Sequence, residues 1–242
     1  KEKIDQYFGI VNSAIEYLRV IPSKRRIGSI IISDSVILSV PHGSTDEENI
    51  DRLRHLCIAV GIIQQHLALK DIWLRGAISS GDTYFDAEKS QIVGPAYINS
   101  YILEEESAIS PRVILDGKII KELSFTNASD FISQMNKDDD GGLEYSNWAS
   151  EILFSWNYPN GKPVEHIEQD LPLFIDYLSP IVKDNGNKLL TVIDNIEKNI
   201  YQKPPIYREF RWVADYLKAT IKRGELNDIS ASSEALFKLD NL

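Results

Sequence analysis

Residues 27–40 read IGSIIISDSVILSV, and this run constrains the chain more than any other. Two stretches dense in isoleucine and valine are broken by Ser33-Asp34-Ser35. β-branched residues favour strands, and a short polar triplet between two such stretches marks a tight turn. The run therefore predicts a hairpin, too apolar to be exposed, with Asp34 near its tip.

The surrounding pattern predicts helix over 2–19, where Ile4, Tyr7, Phe8, Val11, Ile15 and Leu18 recur every three or four residues. Pro22 stops that helix. A second helix covers 46–69, opened by a T-x-x-E capping box at Thr45 and Glu48. A strand follows at 72–79, then a loop at 80–90 and a short strand at 91–93. Gly94-Pro95 opens a third helix that runs to about Ala108, since proline suits a first helical turn. Residues 112–115 are the next strand. The order helix, strand, strand, helix, strand, helix, strand is an α/β pattern. It lacks an opening strand before its first helix.

The second half gives weaker signals. Residues 136–142 and 157–163 carry loop residues. Residues 170–200 and 205–222 read as helical, with apolar stripes at Leu189, Val192, Ile193 and Ile196, and at Phe210, Trp212, Val213, Tyr216 and Leu217. The expected division is 1–120 as the core and 121–242 as a mainly helical extension packed on it.

Composition narrows the function. Of 242 residues, 36 are acidic and 26 are Lys or Arg, a net charge of -10. A general nucleic-acid binder needs a basic footprint, so the charge argues against that class, while a nucleotide that arrives with a divalent cation stays open. No apolar run approaches the roughly 18 residues of a membrane span, which argues against membrane insertion. The one cysteine, Cys57, excludes an intrachain disulfide framework and suits a cytoplasmic setting. Cys57 and the scattered His42, His55, His66 and His166 show no zinc-ligand spacing.

Several residues could carry chemistry, each with a plainer alternative. Asp34, amid aliphatic neighbours, is either a solvated turn residue or a carboxylate that holds a hard cation. Arg75, before Gly76-Ala77, is either half of an ion pair or a planar donor fork for phosphate or a base carbonyl. Gly94-Pro95-Ala96 is a simple turn or an anion-attracting helix start. Asn99, Tyr101 and Glu104 share one helix track, as a polar or interface face. Asp138-Asp139-Asp140-Gly141-Gly142 lacks the alternation of a calcium loop and reads as an exposed acidic loop.

Taken in order, the segments ISDSVILSVP (32–41), RGAISSG (75–81), IVGPAYINSYILE (92–104) and PRVILD (111–116) resemble the class III nucleotidyl cyclases. RGAI, GPA and the PR run look most like the bacterial pyrimidine cyclases of Pycsar anti-phage systems. The resemblance covers about residues 1–120. It implies a ferredoxin-like βαββαβ core whose first strand is not in this chain. It also implies conversion of a nucleoside triphosphate into a 3′,5′-cyclic nucleotide and pyrophosphate, with Mg²⁺ or Mn²⁺ held by two aspartates in a homodimer. The product would act on a separate effector protein in defence.

Residue by residue, Asp34 matches the second metal aspartate. The first falls upstream of Lys1, so residues 1–242 alone are expected to be inactive. Gln91 stands where adenylyl cyclases read the base with an aspartate, and Ile30 stands where they place a lysine; both depart from adenine. Arg75 becomes the candidate reader of a pyrimidine carbonyl, with UTP favoured over CTP. Gly94 leads the substrate-side helix, and Asn99 lies beside Ile98, the position of the family's asparagine. Ile102 replaces its transition-state arginine. The competing expectations are an inactive, nucleotide-binding regulatory dimer, a plain dimerisation module, and a polymerase-palm relative.

Overall fold

The computed structural model describes residues 2–20, 27–136, 152–156, 172–184, 186–202, 204–223 and 229–242. The protein is mixed α/β. Helix α1 (Glu2–Val20) leads to strands β1 (Gly28–Ile32) and β2 (Ser35–Ser39), then to helix α2 (Asp46–Ala68). Strands β3 (Gly76–Ile78), β4 (Tyr84–Asp86) and β5 (Gln91–Val93) precede helix α3 (Pro95–Ser107) and strand β6 (Val113–Leu115). Short helices α4 (Lys118–Glu122) and α5 (Ala128–Met135) follow, then strands β7 (Leu153–Phe154) and β8 (Phe174–Ile175). Helices α6 (Ser179–Asp184), α7 (Gly186–Gln202), α8 (Tyr207–Arg223) and α9 (Ile229–Asp240) complete the described chain.

The hairpin forms, but it is less buried than its composition predicts: of its two strands only Ile30 is buried, and Ile32 is exposed. Ile32 pairs with Ser35, leaving Ser33-Asp34 as a two-residue turn. Such turns need a positive φ, and Ser33 supplies it at 58°. The α2 cap also forms: the Glu48 N–H donates to Thr45 Oγ1 at 3.2 Å. The reciprocal bond shifts by one residue, because Glu48 Oε2 accepts from the Ser44 N–H, not from Thr45.

The main sheet has the order β3-β6-β8-β7, with β3 parallel to β6 and the other pairs antiparallel. Strands from both 1–120 and 121–242 build it. One hydrophobic core likewise runs from Leu53 of α2 to Leu239 of α9. Its centre is aromatic. Phe174 lies 5.0 Å from Tyr216 and 5.2 Å from Trp212, both edge to face, and the Arg112 guanidinium lies 4.7 Å from the Trp212 ring centroid. Tyr7, Val11, Ile15, Ile63 and Leu67 make a second, smaller core between α1 and α2.

Several expectations change. The strand expected over 72–79 is paired only at 76–78, because residues 72–75 have no neighbouring strand among the described residues. The loop expected at 80–90 contains β4, whose Tyr84 pairs with Val93. The helix expected over 170–200 begins only at 179, after β8. Buried Asp176 accepts the Ser179 N–H at 3.0 Å, the Ser179 hydroxyl at 2.6 Å and the Tyr216 hydroxyl at 2.6 Å. That cap fixes where the chain can turn helical. The hairpin is a separate two-stranded sheet, whereas a βαββαβ sheet would join it to the others. The loop residues expected at 137–142 and 157–163 lie outside the described residues. No helix among the described residues is long and apolar enough to cross a membrane.

Tyr216 also accepts the Leu178 N–H at 3.1 Å, so its hydroxyl closes two buried gaps at once. Tyr216→Phe is expected to lower unfolding stability by about 1–3 kcal/mol, as losing a buried partner of a charged group does. Urea denaturation measures this, and an unchanged midpoint would remove the hydroxyl from the stabilising network.

Candidate functional site

A cleft of about 790 Å³ opens between the first turns of α1, the hairpin turn, residues 71–75 and the start of α8. That volume suits a small-molecule site. Ile4, Tyr7 and Phe8 form one wall, and Trp73, Leu74 and Phe210 form another. Trp73 meets Phe210 edge to face at 5.2 Å.

The hairpin turn brings Ser33 and Asp34 to the cleft, and Asp34 is exposed there. Its backbone carbonyl accepts the Tyr7 hydroxyl at 2.7 Å, which fastens the turn to α1. Burial, and then the negative charge of Asp34, push the Tyr7 phenol above its usual range. The hydroxyl therefore stays a donor at neutral pH. The Asp34 carboxylate makes no hydrogen bond or ion pair among the described residues. Of the two readings of Asp34, the solvated turn residue describes its surroundings, and its oxygens are free for a ligand.

Arg75 lines the same cleft. Its Nε pairs with Glu104, and its Nη2 lies 3.4 Å from Glu105 Oε1, both on α3. This is the ion pair anticipated as the plainer alternative. Arg75 Nη1 makes no contact of this kind among the described residues. A Cβ at Gly76 would touch Val113 only at 3.5 Å, so crowding does not require that glycine.

The other residues singled out from the sequence lie elsewhere. Gln91 is exposed on β5, opposite Asp86. Asn99 is half-buried on α3. Gly94 caps α3 with φ 152°, and a Cβ there would sit 2.5 Å from the Asp82 carbonyl oxygen. Its need is close backbone approach. None of the three lines the cleft. No group of three or more His, Cys, Asp or Glu placed to hold a metal occurs among the described residues.

Asp71 lines the cleft too, and sequence reasoning missed it. Its Oδ2 accepts Lys198 at 2.7 Å and Lys3 at 3.0 Å. Its Oδ1 accepts Asn199 at 2.6 Å and Trp73 Nε1 at 3.1 Å. Burial works against ionisation, but the four donors outweigh it and hold the carboxyl far below the usual carboxylate range. With its oxygens taken, Asp71 is a tie between elements, unlike Asp34. Only its odd φ of 56° hints at a special position, and no sequence pattern discloses that.

Glu209, half-buried at the start of α8, adds a second cleft carboxylate without a partner among the described residues. The cleft's cations, Lys3 and Arg75, are both engaged with acids. Its uncommitted charge is therefore negative, and an anionic ligand would need an accompanying cation.

Comparison with protein-family models, curated proteins and solved structures returns no match for this chain.

Asp71→Asn is expected to lower stability by about 1–3 kcal/mol, from loss of charge-assisted bonds to partly exposed lysines. A folded pKa below the unfolded value near about 4 means this contribution is complete above that value. It fades as pH falls toward the depressed folded pKa. Denaturation at pH 7 and pH 2.5 should show a larger gap between wild type and variant at pH 7. A gap that is constant or grows on acidification would contradict the assignment.

Proposed function

We propose that this protein is a nucleotidyl cyclase core that converts a pyrimidine nucleoside triphosphate, UTP in preference to CTP, into its 3′,5′-cyclic nucleotide and pyrophosphate. The observation that carries the reading is the convergence of Asp34 and Arg75 on one cleft. They are the two residues the resemblance ranks as metal ligand and base reader, and they come from separate elements.

Asp34 fits a hard cation: its carboxylate is exposed, without a partner, and held at a turn by the Tyr7 bond to its backbone. Mg²⁺ or Mn²⁺ bound there would offset the triphosphate charge and favour loss of the ribose 3′-hydroxyl proton. Arg75 stays oriented by Glu104 and Glu105, leaving Nη1 to donate to a pyrimidine carbonyl. The aromatic walls exclude water from the face of a planar base. Gly94 and Asn99 contribute to this reading through α3, beside the cleft and not within it.

The homodimer belongs to the same reading. Helix α3 buries none of its residues fully, and Ile98, Tyr101 and Ile102 are exposed along one face, with Ile109 just beyond. A contiguous apolar stripe on a charged protein marks an interaction surface. The reading places the enzyme in the cytoplasm, its product acting on a separate effector in anti-phage defence. A second reading, an inactive nucleotide-binding regulator, is favoured by the engagement of Arg75 with two carboxylates.

Asp34→Asn is expected to abolish Mn²⁺-dependent cyclic product in the full reading-frame protein while leaving the melting temperature within about 2 °C. Normal cyclisation by this variant would overturn the site. Arg75→Ala is expected to change the UTP-to-CTP product ratio, and an unchanged ratio would remove Arg75 from base reading. Ile102→Glu is expected to halve the mass seen by light scattering, and an unaltered mass would exclude the α3 face as the dimer contact.

A further inference from the structure

The hairpin is held at its two ends by different means. At its base, Gly28 lies against the Phe85 ring, so close that a Cβ there would meet Cε1 at 2.5 Å. Between the ends, Ile31, Val36 and Leu38 are only partly buried on the α1–α2 core. The hairpin pairs with no other described strand, and two-stranded hairpins are marginal on their own. At its tip, the tie is the bond from the Tyr7 hydroxyl to the Asp34 carbonyl at 2.7 Å.

The turn that this bond holds is strained. Ser33 has φ 58°, a left-handed conformation that serine rarely adopts and glycine takes freely. Such a conformation persists where the surroundings fix it, and it gathers at ligand-binding segments. Tyr7 is suited to do the fixing. It is buried, packs edge to face on Phe8 at 5.1 Å and shares a core with Val11, Ile15, Ile63 and Leu67. Phenylalanine would fill that space with no polar atom to satisfy. A carbonyl in an exposed turn can be satisfied by water. What the hydroxyl adds is a fixed place for the backbone of residue 34.

We infer that Tyr7 is the positioning residue for a divalent cation at Asp34. The inference rests on the cation role proposed for Asp34 and names what sets its geometry. The Tyr7 bond is spent on the backbone, so it fixes the turn and leaves both carboxylate oxygens to the ion. Mg²⁺ in particular demands near-ideal ligand placement, which a loose turn would not keep. Groups that orient a metal ligand are worth about 10–100-fold in metal affinity when removed.

Titration of Mn²⁺ alone into the full reading-frame protein, read by electron paramagnetic resonance of the free ion, tests this. Tyr7→Phe keeps the ring in the core and removes only the hydroxyl. Asp34→Asn is expected to lose one Mn²⁺ site, and Tyr7→Phe to weaken that same site at least about tenfold. The circular dichroism of both variants should match wild type, so a merely structural role for the hydroxyl would not move the Mn²⁺ Kd. An equal Kd in Tyr7→Phe and wild type would overturn the inference and leave the cation role of Asp34 standing. Retention of every site in Asp34→Asn would overturn both. Ser33→Gly gives a second check, because it relieves the strain and leaves the Tyr7 bond in place. Its Kd is expected within about threefold of wild type, since glycine adopts this φ without cost. A tenfold loss there would assign the position to the turn backbone and contradict the role of Tyr7.

Discussion

The wall of the cleft hangs on Asp71. Lys3 lies 68 residues before it and Lys198 lies 127 after it, yet both reach the same carboxylate oxygen. Asn199 and Trp73 take the other oxygen. Through this one side chain, α1, the segment before β3 and α7 are held in a fixed relation. Removing the acid would leave two lysines facing each other with no anion between them. Charge-assisted bonds from several donors are among the stronger polar contacts available to a protein, and here they add to the packing of Ile72 and Leu74 on the α1–α2 core.

Asp34 is held separately, by the Tyr7 hydroxyl on its backbone carbonyl. The two acids share a cleft but differ in state. One is shielded and saturated with donors, and the other stands exposed with open oxygens. That contrast marks Asp71 as architectural and leaves Asp34 open to the ligand role proposed for it, although a sequence shows only two aspartates. Arg75 stands between these cases: two of its nitrogens are committed to α3, and one remains.

The first half was largely legible because its signals are local. The hairpin follows from fourteen residues of β-branched pattern, the α2 cap from four, and the α3 start from Gly94-Pro95. The second half was not, because β7 and β8 are two residues each and too short to show alternation. Their placement comes from tertiary demand: Phe154 and Phe174 are driven into the aromatic core with Tyr216, and buried Asp176 ends the strand segment. The site was legible only in part. Asp34 and Arg75 carry local oddity, a carboxylate or a cation within an apolar run. Asp71 and Glu209 lie in ordinary sequence surroundings: Asp71 draws its importance from partners far away in the chain, and Glu209 reaches the cleft only through the placement of α8. Gln91, Gly94 and Asn99 were chosen by motif, and the motif did not carry their positions into the cleft.

The most direct test of the account is to give the full reading-frame protein equal amounts of ATP, GTP, UTP and CTP with Mn²⁺ and identify the products by mass spectrometry. The account expects cyclic pyrimidine nucleotides alone, with cyclic UMP ahead of cyclic CMP. Absence of any cyclic product, or cyclisation of purines alone, would contradict it.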